Sequence, residues 1–160
     1  MEKGKFTATA EKYKNMVYRI AVNYLRSPQD ADDVVQEVFI KLFTYKKDFE
    51  TDAHMRNWLI RVSVNVCKNM LRSPWRKKRA KFDDVMLVTY FDTHEQSELY
   101  KSVMELSEKY KIVLYLFYYE ELSVKEISQV LKISGSSVTT RLSRAREMLK
   151  KELTTTSAAN

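Results

Sequence analysis

Cysteine, glycine and proline are all scarce in this chain, and each shortage closes off a class of structure. The single cysteine, Cys67, excludes an internal disulfide framework and any cysteine-based zinc site, and it suits a reducing compartment. Two glycines and two prolines in 160 residues leave almost none of the punctuation that hairpins, sheets and glycine-rich phosphate loops need. Long apolar runs are missing too. The longest, Ile112 to Tyr119, spans eight residues, where a membrane helix takes about 20. Met1-Glu-Lys-Gly-Lys-Phe6 has no apolar signal core, so no direct membrane insertion is expected. Acidic residues are outnumbered 21 to 28 by Lys and Arg, for a formal net charge of +7. With 44% hydrophobic and 12% aromatic residues there is enough apolar material for one compact domain or two small ones. Long helices, an all-α protein, are the default reading.

Helical periodicity bears this out along the first half. From Tyr13, the residues Met16, Val17, Ile20, Ala21, Tyr24 and Leu25 recur at three- and four-residue spacing, and this helix ends near Arg26. Ser27-Pro28-Gln29-Asp30 reads as the start of the next, with Ser27 as N-cap, Pro28 where a missing N–H costs nothing, and Asp30 near the positive end of the dipole. Val34, Val35, Val38, Phe39, Leu42 and Phe43 form its apolar stripe, while Asp32, Asp33, Gln36, Glu37 and Lys41 lie opposite. Thr51 or Asp52 can cap a third helix whose buried stripe is Met55, Trp58, Leu59, Val62, Val66 and Met70. Its other face, Asn57, Arg61, Asn65, Lys68, Asn69 and Arg72, contains no carboxylate.

Ser73-Pro74 stops that helix, and a segment without helical period, opening on Trp75-Arg-Lys-Lys-Arg79, runs to about His94. It reads as a flexible linker in which 85–91 could form a lone strand or an irregular docking segment. Helical pattern resumes from Glu95 to Leu106 and again through Ile112, Val113, Leu116 and Phe117. Ser123 can cap 124–131, Lys132-Ile-Ser134 turns, and Gly135 or Ser136 opens a last helix with Val138, Leu142, Ala145 and Leu149 inward. A short helix, a three-residue turn and a longer basic helix make a helix-turn-helix. The polar tail 154–160 is expected to be disordered.

The last helix offers chemistry suited to DNA. Ser137, Thr140, Arg141 and Arg144 fall at i, i+3, i+4 and i+7, with Ser136, Thr139 and Ser143 beside them. Small hydroxyl residues let a backbone approach the major groove, and arginines reach guanine edges or phosphates. The plainer reading is a solvated helix face. A net charge of +4 over 134–151, from five basic residues and one acid, favours DNA. For the third helix the same two readings compete, and the aromatics Phe43, Tyr45, Phe49 and Trp58 beside it are the kind of surface on which unpaired bases stack. Trp58, at a stripe position, is also a packing residue. Asp30, Asp32, Asp33 and Glu37 read as dipole partners and a protein-docking face rather than metal ligands. His54 and His94 have no ligand spacing and read as surface residues, and Cys67 as a small half-buried one. No Ser/His/Asp set, phosphate loop or catalytic carboxylate pair can be assembled, so no enzyme activity, metal or cofactor is expected.

Three motifs in order resemble the extracytoplasmic-function group of bacterial sigma-70 factors. They are Asp30-Ala-Asp-Asp-Val-Val-Gln-Glu-Val-Phe-Ile-Lys-Leu-Phe43, Asn57-Trp-Leu-Ile-Arg-Val-Ser-Val-Asn65, and Leu122-Ser-Val-Lys-Glu-Ile-Ser128 with Ser137-Val-Thr-Thr-Arg-Leu-Ser-Arg-Ala-Arg-Glu147. The resemblance implies a cytoplasmic, nucleoid-associated initiation factor of two small helical domains. A domain 2-like bundle would occupy 1–73, a linker 74–94 and a domain 4-like helix-turn-helix 95–153. Core RNA polymerase and promoter DNA would be its partners, with an anti-sigma factor as a further candidate. Asp33, Gln36, Glu37 and Lys41 would dock on core polymerase. Phe49, Arg56, Trp58, Arg61, Asn65, Lys68, Asn69 and Arg72, with the loop 48–55, would capture the melted minus-ten strand. Ser136, Ser137, Thr139, Thr140, Arg141, Ser143 and Arg144 would read the minus-thirty-five duplex. The loop reads Phe49-Glu-Thr-Asp-Ala-His-Met55 where the family often has Phe-Arg-Gly, so the resemblance carries no base preference with it. The competing assignment is a stand-alone helix-turn-helix regulator that binds DNA as a dimer.

Overall fold

The computed structural model describes residues 1–73 and 94–159, the side chains of 94–98, 100 and 155–159 excepted. The expected linker 74–94 and its candidate strand therefore lie, but for His94, outside the described residues. The helices are α1 (Lys3–Leu25), α2 (Pro28–Thr44), α3 (Asp52–Arg72), α4 (His94–Glu105), α5 (Glu108–Leu114), α6 (Val124–Leu131) and α7 (Gly135–Ala159). None among the described residues is long and apolar enough to cross a membrane. The chain divides into two compact units, residues 1–81 and 82–160.

In the first unit, α1, α2 and α3 each pack on the other two. The corner between α1 and α2 takes two residues. Arg26 turns left-handed at φ 51° and donates its N–H to the Val22 carbonyl, then Ser27 accepts the Asp30 N–H at 3.2 Å with Pro28 in the first turn. So short a connection sends α2 back along α1. The apolar face of α1 is buried as its spacing predicts, with Val17, Ile20 and Ala21 fully enclosed beside Val34, Val38 and Leu42 of α2. Removing such side chains from water is worth about 1.5–3 kcal/mol each.

The stripe of α3 is broader and rotated from the one its large residues predict. Met55, Leu59 and Val66 are buried, but Ile60, Ser63, Val64 and Cys67 join them, while Trp58, Val62 and Met70 are half-buried. Cys67, expected half-buried, is fully enclosed. Ser63 enters the core at low cost because its hydroxyl donates to the Leu59 carbonyl at 2.6 Å. On α2 the stripe is narrower than predicted: Val35 is half-buried and Phe43 is 51% exposed. Asp30 is instead enclosed, so it does not belong to an acidic surface cluster.

In the second unit α7 packs on both α5 and α6, and Ile112, Val113 and Leu116 are buried together with Ile127 and Val130 of α6 and Val138, Leu142 and Ala145 of α7, as is the side chain of Lys111. Beyond α5 the helix widens to a π turn over Tyr115–Tyr119, closed by the Glu120 N–H on the Tyr115 carbonyl. The register shift leaves Tyr118 and Tyr119 exposed and Phe117 half-buried. Helix α7 continues through Ala159, so the tail expected to be disordered is helical over 154–159.

Candidate nucleic-acid interfaces

The loop between α2 and α3 is built from rings. Tyr45 stacks on Phe49 at 5.2 Å, both meet Trp58 at 4.7 and 5.5 Å, and His54 stands edge-on to Phe49 at 5.3 Å. Half-buried Tyr45, Phe49 and Trp58 thus form a supported aromatic surface at the start of α3. Phe43, grouped with them on sequence, packs instead against Phe6 of α1 at 5.2 Å. Backbone contacts brace the same loop. Thr51 caps α3 by accepting the His54 N–H at 3.0 Å, and the Glu50 N–H donates to His54 Nδ1 at 3.3 Å.

Along α3 from this loop, Arg61, Asn65, Asn69 and Arg72 are exposed and Lys68 is half-buried. Their spacing of three and four residues puts them on one side of the helix. Arg56 is half-buried and close enough to Asp52 to help depress its carboxyl. Asn57, placed by periodicity on the open polar face, is half-buried with its Oδ1 enclosed and unpaired. The structure therefore brings Phe49, Trp58, Arg61, Asn65, Lys68, Asn69 and Arg72 to the loop and one side of a single helix.

On α2, Asp33, Gln36, Glu37 and Lys41 are all exposed, and Glu37 and Lys41 approach to 3.9 Å across one turn. Beside them runs a feature that periodicity did not reveal. Gln36 shares a shallow groove of about 290 Å³ with Phe6, Phe39, Ile40 and Phe43, and Ile40 is 64% exposed. The polar set thus borders an open apolar strip rather than standing alone.

The helix-turn-helix is held by its caps. Ser123 and Glu126 form a reciprocal capping box at α6, Lys132 turns left-handed at φ 56°, and the Ser128 hydroxyl donates to the Ile133 carbonyl at 2.6 Å. Ser134 caps α7 by accepting the Ser137 N–H at 3.1 Å. This divides the predicted contact residues. Hydroxyls of Ser136 and Ser137 lie within 3.1 and 2.9 Å of the Ser134 hydroxyl, and Thr139 donates to the Gly135 carbonyl. Thr140, Ser143 and Arg144 are exposed, and Arg141 is half-buried. Arg146, two residues beyond Arg144, faces another way: it donates to the Tyr118 hydroxyl at 2.5 Å and lies over the Phe117 and Tyr118 rings. Spacing already sets Arg146 apart from Arg141 and Arg144, but it does not show what Arg146 meets, because the π turn that presents Tyr118 has no sequence period.

Known proteins match both units in order. Residues 9–77 match the family model described as Sigma-70 region 2, and 96–149 match Sigma-70, region 4. The chain is 27% identical to the ECF RNA polymerase sigma factor SigW of Bacillus subtilis, over 92% of this chain and 88% of that one. It is 29% identical to the ECF RNA polymerase sigma-E factor of Haemophilus influenzae, covering 95% and 89%. Among solved structures it is similar to CnrH in complex with the cytosolic domain of CnrY, with a TM-score of 0.72 at 23% identity over 96% and 90% of the two chains. It is also similar to RpoE of Bartonella quintana in complex with the anti-sigma factor NepR, with a TM-score of 0.75 at 16% identity over 94% and 97%.

Proposed function

Since this chain belongs to the sigma-70 family, in its extracytoplasmic-function group, and is a transcription initiation factor, we propose a division of that work between its two units. The first unit binds core RNA polymerase and captures the opened minus-ten strand, and the second reads the minus-thirty-five duplex. The observation that carries this reading is the pairing, in one chain, of an exposed helix-turn-helix with a second helix whose exposed side is basic and amide-rich without a carboxylate. A stand-alone regulator would leave that second face, and the whole match over 9–77, without a task.

Each grip has a physical basis. Arg61, Lys68 and Arg72 supply charge to follow a phosphate backbone, Asn65 and Asn69 supply donors and acceptors for base edges, and Phe49 with Trp58 supplies a ring surface. Base stacking on such rings is worth about 1–3 kcal/mol per base, enough to offset unstacking of a few kcal/mol. Opening the duplex thereby becomes a binding problem, and nothing assigned to this chain is catalysis. Asp33, Gln36, Glu37 and Lys41 bind core polymerase, and exposed Ile40 and Phe43 extend the same face with area that water would give up. In the second unit Ser136, Ser137, Thr139, Thr140, Arg141, Ser143 and Arg144 meet the major groove. The site of action is the bacterial cytoplasm, at the nucleoid when bound to polymerase. An anti-sigma protein is a further candidate partner, as one solved relative was captured with one.

Run-off transcription with purified core polymerase tests the proposal. Transcripts starting at fixed sites, dependent on this chain and on both promoter elements, are the expected result. Polymerase binding without transcription, or duplex binding without polymerase, would overturn it.

A further inference from the structure

The first turn of α3 is tied to α1 through one carboxylate oxygen. Asp52 Oδ2 accepts the Tyr13 hydroxyl at 2.7 Å and the Lys12 ammonium at 3.0 Å, from residues 39 and 40 positions away in sequence. The two donors differ in kind. Lys12 and Asp52 have side chains 59% and 60% exposed, so their ion pair is screened and weak. Tyr13 is 6% exposed, its ring set among the core residues of α1, so its hydroxyl is presented from a rigid post. The Asp52 carboxyl is held below its ordinary range, first by the Tyr13 hydroxyl and then by Lys12.

What this tie holds is the loop that begins the strand-capture face. Asp52 follows the capping residue Thr51, Glu50 is bound to His54, and Phe49 is locked into the Tyr45 and Trp58 rings. Those contacts fix the loop to α3. The contact with Asp52 fixes it to α1. We propose that Tyr13 is a positioning residue for strand capture: its hydroxyl on Asp52 sets where the loop 48–51 and the first turn of α3 stand to receive a base of the opened strand. This inference rests on the strand-capture reading above. Removing only the hydroxyl leaves the ring in the core and returns an exposed carboxylate to water, so no buried polar group is left unpaired and the fold is kept while the restraint is lost. A binding site displaced by about 1 Å loses much of its discrimination.

Holoenzyme reconstituted with each variant is titrated with single-stranded minus-ten oligonucleotides carrying each base in turn at every position. In parallel, affinity for core polymerase and discrimination at the minus-thirty-five duplex are measured. Tyr13→Phe should weaken capture about 3- to 10-fold, the effect of one hydrogen bond, and flatten preference only at positions the loop reads. Asp52→Ala should reproduce this, and Tyr13→Phe should add nothing to it. Asp52→Asn, whose amide oxygen still accepts the hydroxyl, should keep most of the preference. Unchanged base discrimination in Tyr13→Phe, additivity of the two changes, or a loss spread evenly to the minus-thirty-five element would each overturn the proposal. If Tyr13→Phe fails to fold, the contrast between Asp52→Ala and Asp52→Asn decides. Wild-type holoenzyme showing no minus-ten base preference would instead remove the strand-capture reading itself.

Discussion

With Nδ1 taken up by the Glu50 N–H, His54 must carry its ring proton on Nε2, so this exposed residue offers the loop a donor and no acceptor. It read on sequence as an ordinary surface histidine, because the contact that defines its tautomer is made by backbone. The arginines of α7 part company in a comparable way. Arg141 is half-buried in the second turn, and Arg144 is exposed one turn later. Base edges are met by the first turns of a recognition helix, and later residues reach phosphate. Arg141→Ala should therefore cost about 1–3 kcal/mol, concentrated at the minus-thirty-five element. Arg144→Ala should weaken all duplexes alike and reduce the slope of log K against log salt by about 1. Salt titrations of holoenzyme on matched and scrambled upstream elements measure both, and the same profile for the two variants would reject the distinction. Asn65→Ala, on the exposed side of α3, should impair open-complex formation, read by permanganate reactivity of unpaired thymines, while polymerase binding stays at wild-type strength.

Among the elements, α1 was the most legible over residues 13–25, whose periodic apolar face is buried, although Val22 off that face is enclosed too and the helix begins earlier, at Lys3. The stripe of α3 was less so. Small residues such as Ser63 and Cys67 are enclosed there while bulky Trp58 turns to the loop rings, so side-chain size does not mark its buried face. The pairing of Phe43 with Phe6, and of Asp52 with Tyr13, joins positions nearly forty residues apart, beyond any local period. Caps were readable because their partners are three residues away. Ser123→Ala should cost the second unit about 1 kcal/mol in a denaturant melt, having lost one half of the capping box. Where α4 meets α7, Glu152 is raised above its ordinary pKa by its hydrogen bond to Glu105, by burial and by the charge of that neighbour. A carboxyl raised on folding adds stability that is full below its unfolded pKa and is lost as pH rises through the folded value. Asp52, depressed on folding, has the opposite sign: its contribution holds above the unfolded pKa and is lost in acid. Glu152→Gln should thus raise the thermal midpoint at pH 7 and leave it unchanged near pH 4, whereas Asp52→Ala should lower it at pH 7 and matter less in acid. Circular dichroism melts across that range would show the two trends, and parallel pH profiles would contradict them.

For the molecule as a whole, the decisive property is that neither proposed DNA grip is large. Single recognition modules of this kind bury about 600–1,000 Å² and depend heavily on phosphate contacts, so affinity falls steeply with salt. Linking two such modules helps only when both can engage one DNA at once, which requires a fixed separation. On the proposed docking through α2, core polymerase supplies that separation. The second contact then becomes intramolecular and gains from effective concentration. Free protein should accordingly bind promoter duplex only weakly at physiological salt. Holoenzyme should bind the same fragment with an affinity exceeding either element alone by about 10²–10⁴-fold. Scrambling one element should cost the holoenzyme most of that gain while changing binding by the free chain little. Gel shifts with free chain and holoenzyme on intact and half-scrambled promoters give the comparison, and tight, sequence-specific binding by the free chain would mean that one unit alone suffices.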